Sequence, residues 1–144
     1  MGLTLNGIAQ GYIADRVAAL LEAEGLTDIL IDTGEHRALG QMPGGGGWPV
    51  TLAQGGSVAL RDRALATSAP LGTVFDGAGR YGHILDPRTG EPAAPVWRAV
   101  SITAPSAALA DALSTAACLM PDRGAIDGMV AKVGGARCDS AVPA

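Results

Sequence analysis

Apolar residues recur at helical spacing near the start of the chain, at Ile8, Tyr12, Ile13, Val17, Leu20 and Leu21, with Gly25 just beyond the last of them. This period, closed by a glycine, predicts a helix from about Gly7 to Glu24. The pattern then shortens. Asp28-Ile29-Leu30-Ile31-Asp32 reads as a buried strand ended by Thr33-Gly34, and Arg37-Ala38-Leu39-Gly40 as a second strand. Gly44 to Gly47 form a flexible surface loop, which lacks the following Lys-Ser/Thr of a phosphate loop. Trp48 to Leu52 and Ser57 to Arg61 flank Gln54-Gly55-Gly56 and read as a hairpin. Leu65 to Ser68 is a further strand, and Asp76-Gly77-Ala78-Gly79 a turn leading into a strand at His83-Ile84-Leu85. Trp97 to Thr103 alternates most clearly, with Ala99, Ser101 and Thr103 against Val100 and Ile102. Ser106 is placed to cap a helix running to about Met120. A last helix, Asp122 to Val133, would bury Ile126, Met129, Val130 and Val133 and stop at Gly134-Gly135. Strands and helices do not alternate strictly, which predicts an α+β fold: a mostly antiparallel sheet packed with about three helices.

Composition sharpens that picture. A chain of 144 residues reads as a single domain, residues 1–144, large enough for its own core. Apolar residues make up 48% of it, yet the aromatics are only Tyr12, Trp48, Phe75, Tyr81 and Trp97, so Ala, Val, Leu and Ile must build the core. Net charge is −4 with no cluster of Lys or Arg, which argues against nucleic acid as a partner. Cys118 and Cys138 are too isolated for a metal or disulfide framework, and Cys118 reads as a buried thiol in a helix. No run approaches the roughly 18 apolar residues of a membrane span. Met1-Gly2-Leu3 lacks the charged and apolar regions of an export signal.

A few polar residues stand out against this background. On the Ser106–Met120 helix, Leu109, Leu113, Ala116, Ala117 and Met120 form an apolar stripe, while Asp111 and Thr115 share another face. That second face is either solvated or, being made of Ala, Ser, Thr and Cys, suited to close approach of a backbone or a ligand. An Asp/Thr oxygen pair suits a hard metal ion that shares its ligands with phosphate. His83 is either a hydrogen-bonded structural residue or a group for proton transfer. Asp86, before Pro87 and with Gly90 beyond, reads as a turn-former. Gly7 and Gly11 near a helix start leave room for an anion. Thr67 and Ser68 are strand-end hydroxyls, and Tyr12 fits either the core or a ligand.

Taken together, His83-Ile84-Leu85-Asp86-Pro87-Arg88-Thr89-Gly90 and Ala110-Asp111-Ala112-Leu113-Ser114-Thr115-Ala116 resemble the signature of the ApbE family, flavin transferases that move FMN from FAD onto a protein threonine or serine. Gly7-Ile8-Ala9-Gln10-Gly11-Tyr12 with Asp15 is similar to that family's G-I-A-K-G-Y-x-x-D. Ile31-Asp32-Thr33-Gly34 and Ala66-Thr67-Ser68 fit two weaker blocks in the same order. The resemblance runs from about Leu5 to the C-terminus and implies an ApbE-like, T-fold-related domain, the C-terminal portion of the family's full length.

The resemblance implies a set of roles. Asp111, Thr115 and a backbone carbonyl at Gly7 would hold Mg²⁺ against the FAD pyrophosphate. Gly7, Ile8, Ala9, Gln10, Tyr12, Thr67, Ser68, His83 and Ile84 would contact FAD, with His83 as the catalytic group and Gly34-Glu35 a turn near the flavin. Asp86, Thr89 and Gly90 would shape the site. FAD and an acceptor flavoprotein bearing Thr or Ser would be the partners, AMP the product, and the periplasm or cell envelope the location. The chain departs from the pattern at Gln10 (commonly lysine), Thr4 (often aspartate) and Ala69 (glycine in A-T-S-G), and it lacks the family's N-terminal part. Those departures leave three alternatives: an FAD-binding or regulatory domain without transfer, an FAD pyrophosphatase, and an inert fragment of a longer protein that folds only with its partner segment. The oligomeric state is not legible.

Overall fold

The computed structural model describes residues 4–52 and 54–144, so the reading of Met1-Gly2-Leu3 lies outside the described residues. The elements are α1 (Ala9–Ala23), β1 (Ile29–Asp32), β2 (His36–Leu39), β3 (Trp48–Thr51), β4 (Ser57–Leu60), β5 (Ala64–Ser68), β6 (Trp97–Ala104), α2 (Ala107–Ala117), α3 (Arg123–Val130) and β7 (Arg137–Pro143). Five strands form one sheet in the order β1-β2-β5-β6-β7, every neighbouring pair antiparallel, and β3-β4 form a separate ribbon. The α+β class, the antiparallel sheet and the three helices match the sequence reading.

β6 is the spine of the molecule. Only Arg98 along it is exposed, because both of its faces are covered. On one face Val100 and Ile102 pack with Leu113, Ala117 and Cys118 of the α2 region and with Ile126 and Val130 of α3. Leu65 of β5 packs instead with Ala38 and with Val50, Leu52, Val58 and Leu60 of the ribbon. Alternation along a strand buried on both sides explains why small polar residues, Ser101 and Thr103, are fully enclosed here. Cys118 and Cys138 are free and buried, and burial pushes the Cys118 thiol up to about 12.

Helix α1 corrects the sequence reading. Its buried positions are Gly11, Ala14 and Ala18, whereas Tyr12, Ile13 and Leu20 are 57%, 54% and 63% exposed. The reason is distance between helices. A Cβ on Gly11 would stand 2.2 Å from the Ala107 carbonyl oxygen, so only small residues fit the seam with α2. Gly25 ends the helix as expected, with φ 87°, its N–H donating to Glu22 O and the Leu26 N–H to Leu21 O.

Two further segments differ. The expected strand at His83–Leu85 is not formed; isolated bridges, Val74 to Gly82 and Leu85 to Pro92, take its place. Proline at 87 and 92 removes donors on either side, so no ladder propagates. β7 was not legible at all, since Arg137-Cys138-Asp139-Ser140 has little apolar alternation. It pairs along β6 with register shifts between Trp97/Ala99 and Ser101/Ile102.

Candidate functional site

The segments that hold the candidate residues meet at one end of β5. Helix α2 starts beside α1 because Asp15 of α1 caps it: its carboxylate accepts from the N–H groups of Ala107 and Ala108, both at 2.9 Å. Ser106 adds a cap, accepting from the Leu109 N–H at 3.3 Å. Arg37 approaches the same carboxylate at 3.3 Å and neutralises it. Charge and caps together fix the first turn of α2 against α1.

One turn along, Asp111 is buried and its Oδ2 accepts from the Gly11 backbone N–H at 3.0 Å. The small face of α2 is therefore packed against a backbone rather than solvated. Burial raises the Asp111 carboxyl above its ordinary value, and the Gly11 hydrogen bond pulls it back. Gly7 lies against Thr115: a Cβ there would stand 3.1 Å from Thr115 Cγ2 and 3.4 Å from its Oγ1. From β5, the Ser68 hydroxyl lies 2.8 Å from Ser114 Oγ and 3.2 Å from Thr115 Oγ1. Thr67, pointing to the opposite face of the strand, pairs its hydroxyl with Ser101 Oγ at 2.8 Å. Gly7, Gly11, Ser68, Asp111 and Thr115 thus form one oxygen-rich cradle.

The turn between β1 and β2 closes this cradle with Glu35, which the family resemblance placed in a turn near the flavin without marking it as buried. Glu35 is 6% exposed, and its Oε2 has no hydrogen-bond partner among the described residues. Burial chiefly pushes its carboxyl up to about 8; the charge of Asp111 adds to that, and a hydrogen bond from the Thr67 backbone opposes it. Beside it, Gly34 has the Gln10 amide nitrogen 3.4 Å from where a Cβ would stand. Nothing in the local sequence distinguishes Glu35 from a solvent-facing turn acid. Its importance comes from the packing of α1, α2 and β5 around it.

The remaining candidates lie apart. His83 is exposed, and its Nδ1 and its backbone N–H approach the Thr73 carbonyl at 3.2 and 3.1 Å. Its segment is nonetheless tied to the end of β5, since a Cβ on the preceding Gly82 would stand 1.9 Å from Pro70 O. Ile84 is a core residue whose carbonyl accepts from Ala93 N–H, so its side chain is taken up by the core and a ligand would meet its backbone. Ile8, Ala9 and Tyr12 line, with Leu5 and Ile13, an apolar hollow of about 380 Å³ on the outer side of α1. Tyr12 is therefore not a core residue. Asp86 is held by its own turn: Arg88 donates to both of its oxygens and brings the carboxyl down to about 2. It shapes the loop and is not available as a base.

Among the described residues no group of three or more His, Cys, Asp or Glu is gathered for a metal. A hard divalent cation needs fewer, because Mg²⁺ commonly takes one or two carboxylates and completes its shell with water and phosphate. The buried Asp111 carboxylate, the Thr115 hydroxyl, the adjacent Gly7 backbone and the unpartnered Glu35 oxygen suit such an ion.

The sequence profile of the ApbE family matches residues 1–135. The chain is 36% identical over 138 residues to an FAD:protein FMN transferase of Treponema pallidum, covering 81% of this chain and 37% of that protein. The apbe protein of Thermotoga maritima superposes with a TM-score of 0.82 at 32% identity, covering 94% of this chain and 47% of that one. The flavinyl transferase ApbE of Pseudomonas stutzeri, in its apo form, gives a TM-score of 0.69 at 35% identity over 81% of this chain and 39% of its own. The chain thus spans less than half the length of each of these relatives.

Proposed function

The chain belongs to the ApbE family, and from that premise we propose that it carries the phosphate-handling part of a flavin transferase moving FMN from FAD to a Thr or Ser of an acceptor flavoprotein. The observation that supports this reading most is the meeting of Gly7, Ser68, Asp111 and Thr115 at the end of β5. In the reaction the acceptor hydroxyl oxygen forms a bond to the FMN phosphorus as the anhydride bond breaks and AMP leaves.

Each residue has a stated task. The Asp111 carboxylate, the Thr115 hydroxyl and the Gly7 carbonyl present oxygens to a divalent cation. Mg²⁺ bound there would offset pyrophosphate charge and the charge that develops on departing AMP. Ser68 holds the Thr115 hydroxyl in place through its 3.2 Å contact. Gln10 offers a neutral amide to phosphate oxygen where the family commonly has a cation. His83, with Nδ1 donating to Thr73 O, keeps Nε2 free to accept the proton of the attacking hydroxyl. Ile8, Ala9 and Tyr12 give an apolar hollow for the flavin nucleotide, while Thr67, its hydroxyl engaged by Ser101, and Ile84, a core residue, would meet the nucleotide through their backbone. Most of the rate gain would come from position and electrostatics. The family's placement in the cell envelope is part of the same proposal; no helix among the described residues is long and apolar enough to cross a membrane.

A second reading is FAD binding without transfer, or FAD hydrolysis with water as acceptor. Gln10, where the family commonly has lysine, and Ala69, where it has glycine, favour it. The test is to incubate the purified chain with FAD, Mg²⁺ and a threonine-bearing acceptor, reading flavin fluorescence in the gel and intact mass. FMN on the acceptor, lost with EDTA, is the expected result. AMP released without an acceptor would favour hydrolysis, and bound FAD with no product would favour the binding domain.

A further inference from the structure

Glu35 is more deeply enclosed than a turn acid should be. It is 6% exposed, and its Oε2 meets no donor among the described residues. An unsatisfied buried polar atom costs about 1–3 kcal/mol, more when charged, so such an oxygen marks a place where a donor arrives. No described residue supplies that donor. Asp111 brings like charge instead, and among the described residues no Lys or Arg forms an ion pair with either carboxylate. Arg37, two positions along, is directed to Asp15. Gln10, whose amide lies against Gly34, is neutral.

Two enclosed carboxylates thus share a cradle with the hydroxyls of Ser68 and Thr115 and have no counter-charge. An apolar group would leave Oε2 unsatisfied, and an anion alone would be repelled. A hydrated divalent cation supplies both the charge and O–H donors, and Mg²⁺ gives up its waters reluctantly. Outer-shell carboxylates of this kind commonly change metal affinity 10–100-fold.

We infer that Glu35 is a positioning residue for the divalent cation of the transfer site, its carboxylate accepting a hydrogen bond from water carried on a cation that Asp111 ligates directly. This rests on the assignment of Asp111 to the cation made above. Glu35 thereby adds a second negative charge to a site in which Asp111 alone would be a weak hold. It also accounts for a buried acid being kept at a cost to the free protein.

The test uses the whole chain without FAD, with Mn²⁺ as the probe, titrated by electron paramagnetic resonance. Wild type, Glu35→Gln and Asp111→Asn are compared, each with its melting temperature in EDTA. Glu35→Gln should weaken Mn²⁺ binding about tenfold or more while raising the melting temperature in EDTA, since it replaces an enclosed acid with a neutral amide. A merely structural glutamate would do the reverse, lowering stability with Mn²⁺ affinity unchanged, and that result would overturn the inference. Mn²⁺ binding lost in Asp111→Asn but kept within about twofold in Glu35→Gln, judged against that 10–100-fold range, overturns the role of Glu35 and leaves Asp111 standing. No saturable binding to the wild type, or binding as tight as wild type in both variants, overturns both assignments.

Discussion

The Gly11 backbone N–H donates to Asp111 Oδ2 at 3.0 Å, joining the two helices that carry the cradle. The contact exists because Gly11 has no side chain: any Cβ would come 2.2 Å from Ala107 O. One glycine therefore sets both the helix spacing and the orientation of the carboxylate.

Gly11→Ala should force α1 away from α2. Overpacking of a close seam costs about 1–3 kcal/mol, and loss of the Asp111 hydrogen bond adds to it. Urea denaturation should show a lower midpoint with an unchanged slope. A midpoint equal to wild type would mean that the helices do not approach this closely.

Much of this fold was legible because its punctuation is local. Gly25 ends α1 with φ 87°, Ser106 caps α2, and Asp122 caps α3 by accepting from Ala125 N–H at 2.8 Å. Periodicity failed where tertiary packing overrode it. Tyr12, Ile13 and Leu20 look like a core stripe, but the seam with α2 admits only Gly11, Ala14 and Ala18. β7 is recruited by the exposed edge of β6, not by a pattern of its own. Within the site, Asp111 and Thr115 were visible from their spacing and from family resemblance. Glu35 was placed by resemblance in a turn near the flavin, but its enclosure was not legible, because that burial is produced by segments distant in sequence.

Asp15→Ala should unseat the start of α2. It removes the acceptor for the Ala107 and Ala108 N–H groups and the partner of Arg37. Cap loss alone costs about 1–2 kcal/mol, and the stranded guanidinium adds more. Asp15→Asn, which keeps one capping oxygen, should recover part of the loss in the same thermal melt. Equal melting temperatures for all three proteins would refute the cap.

Asp111→Asn separates charge from shape. Asparagine keeps an oxygen for the Gly11 N–H, so the fold should persist by circular dichroism. Mg²⁺-dependent FMN transfer should fall about 100-fold or more, the scale for losing one preorganised electrostatic group. Thr115→Val should fall less, since it removes one neutral ligand. Turnover equal to wild type in Asp111→Asn would sink the cation assignment.

Stability in EDTA should depend on pH through Glu35. Its carboxyl is raised from 4.5 to about 8 in the folded chain, so the folded state holds a proton that the unfolded state gives up first. The associated stability is full below about pH 4.5 and is lost as pH rises through about 8. Asp111, also raised, acts in the same direction. Melting temperatures should drop across that window for wild type and much less for Glu35→Gln. A flat wild-type profile would contradict the enclosure of Glu35.

The most direct measurement is an anomalous diffraction map from crystals of the chain grown with Mn²⁺ and FAD. The expected result is one strong peak within ligand distance of the Asp111 carboxylate, the Thr115 hydroxyl and the Gly7 carbonyl, with the pyrophosphate on its open side. A peak elsewhere, or FAD bound with no peak in the cradle, would contradict the assignment of these residues to a divalent cation.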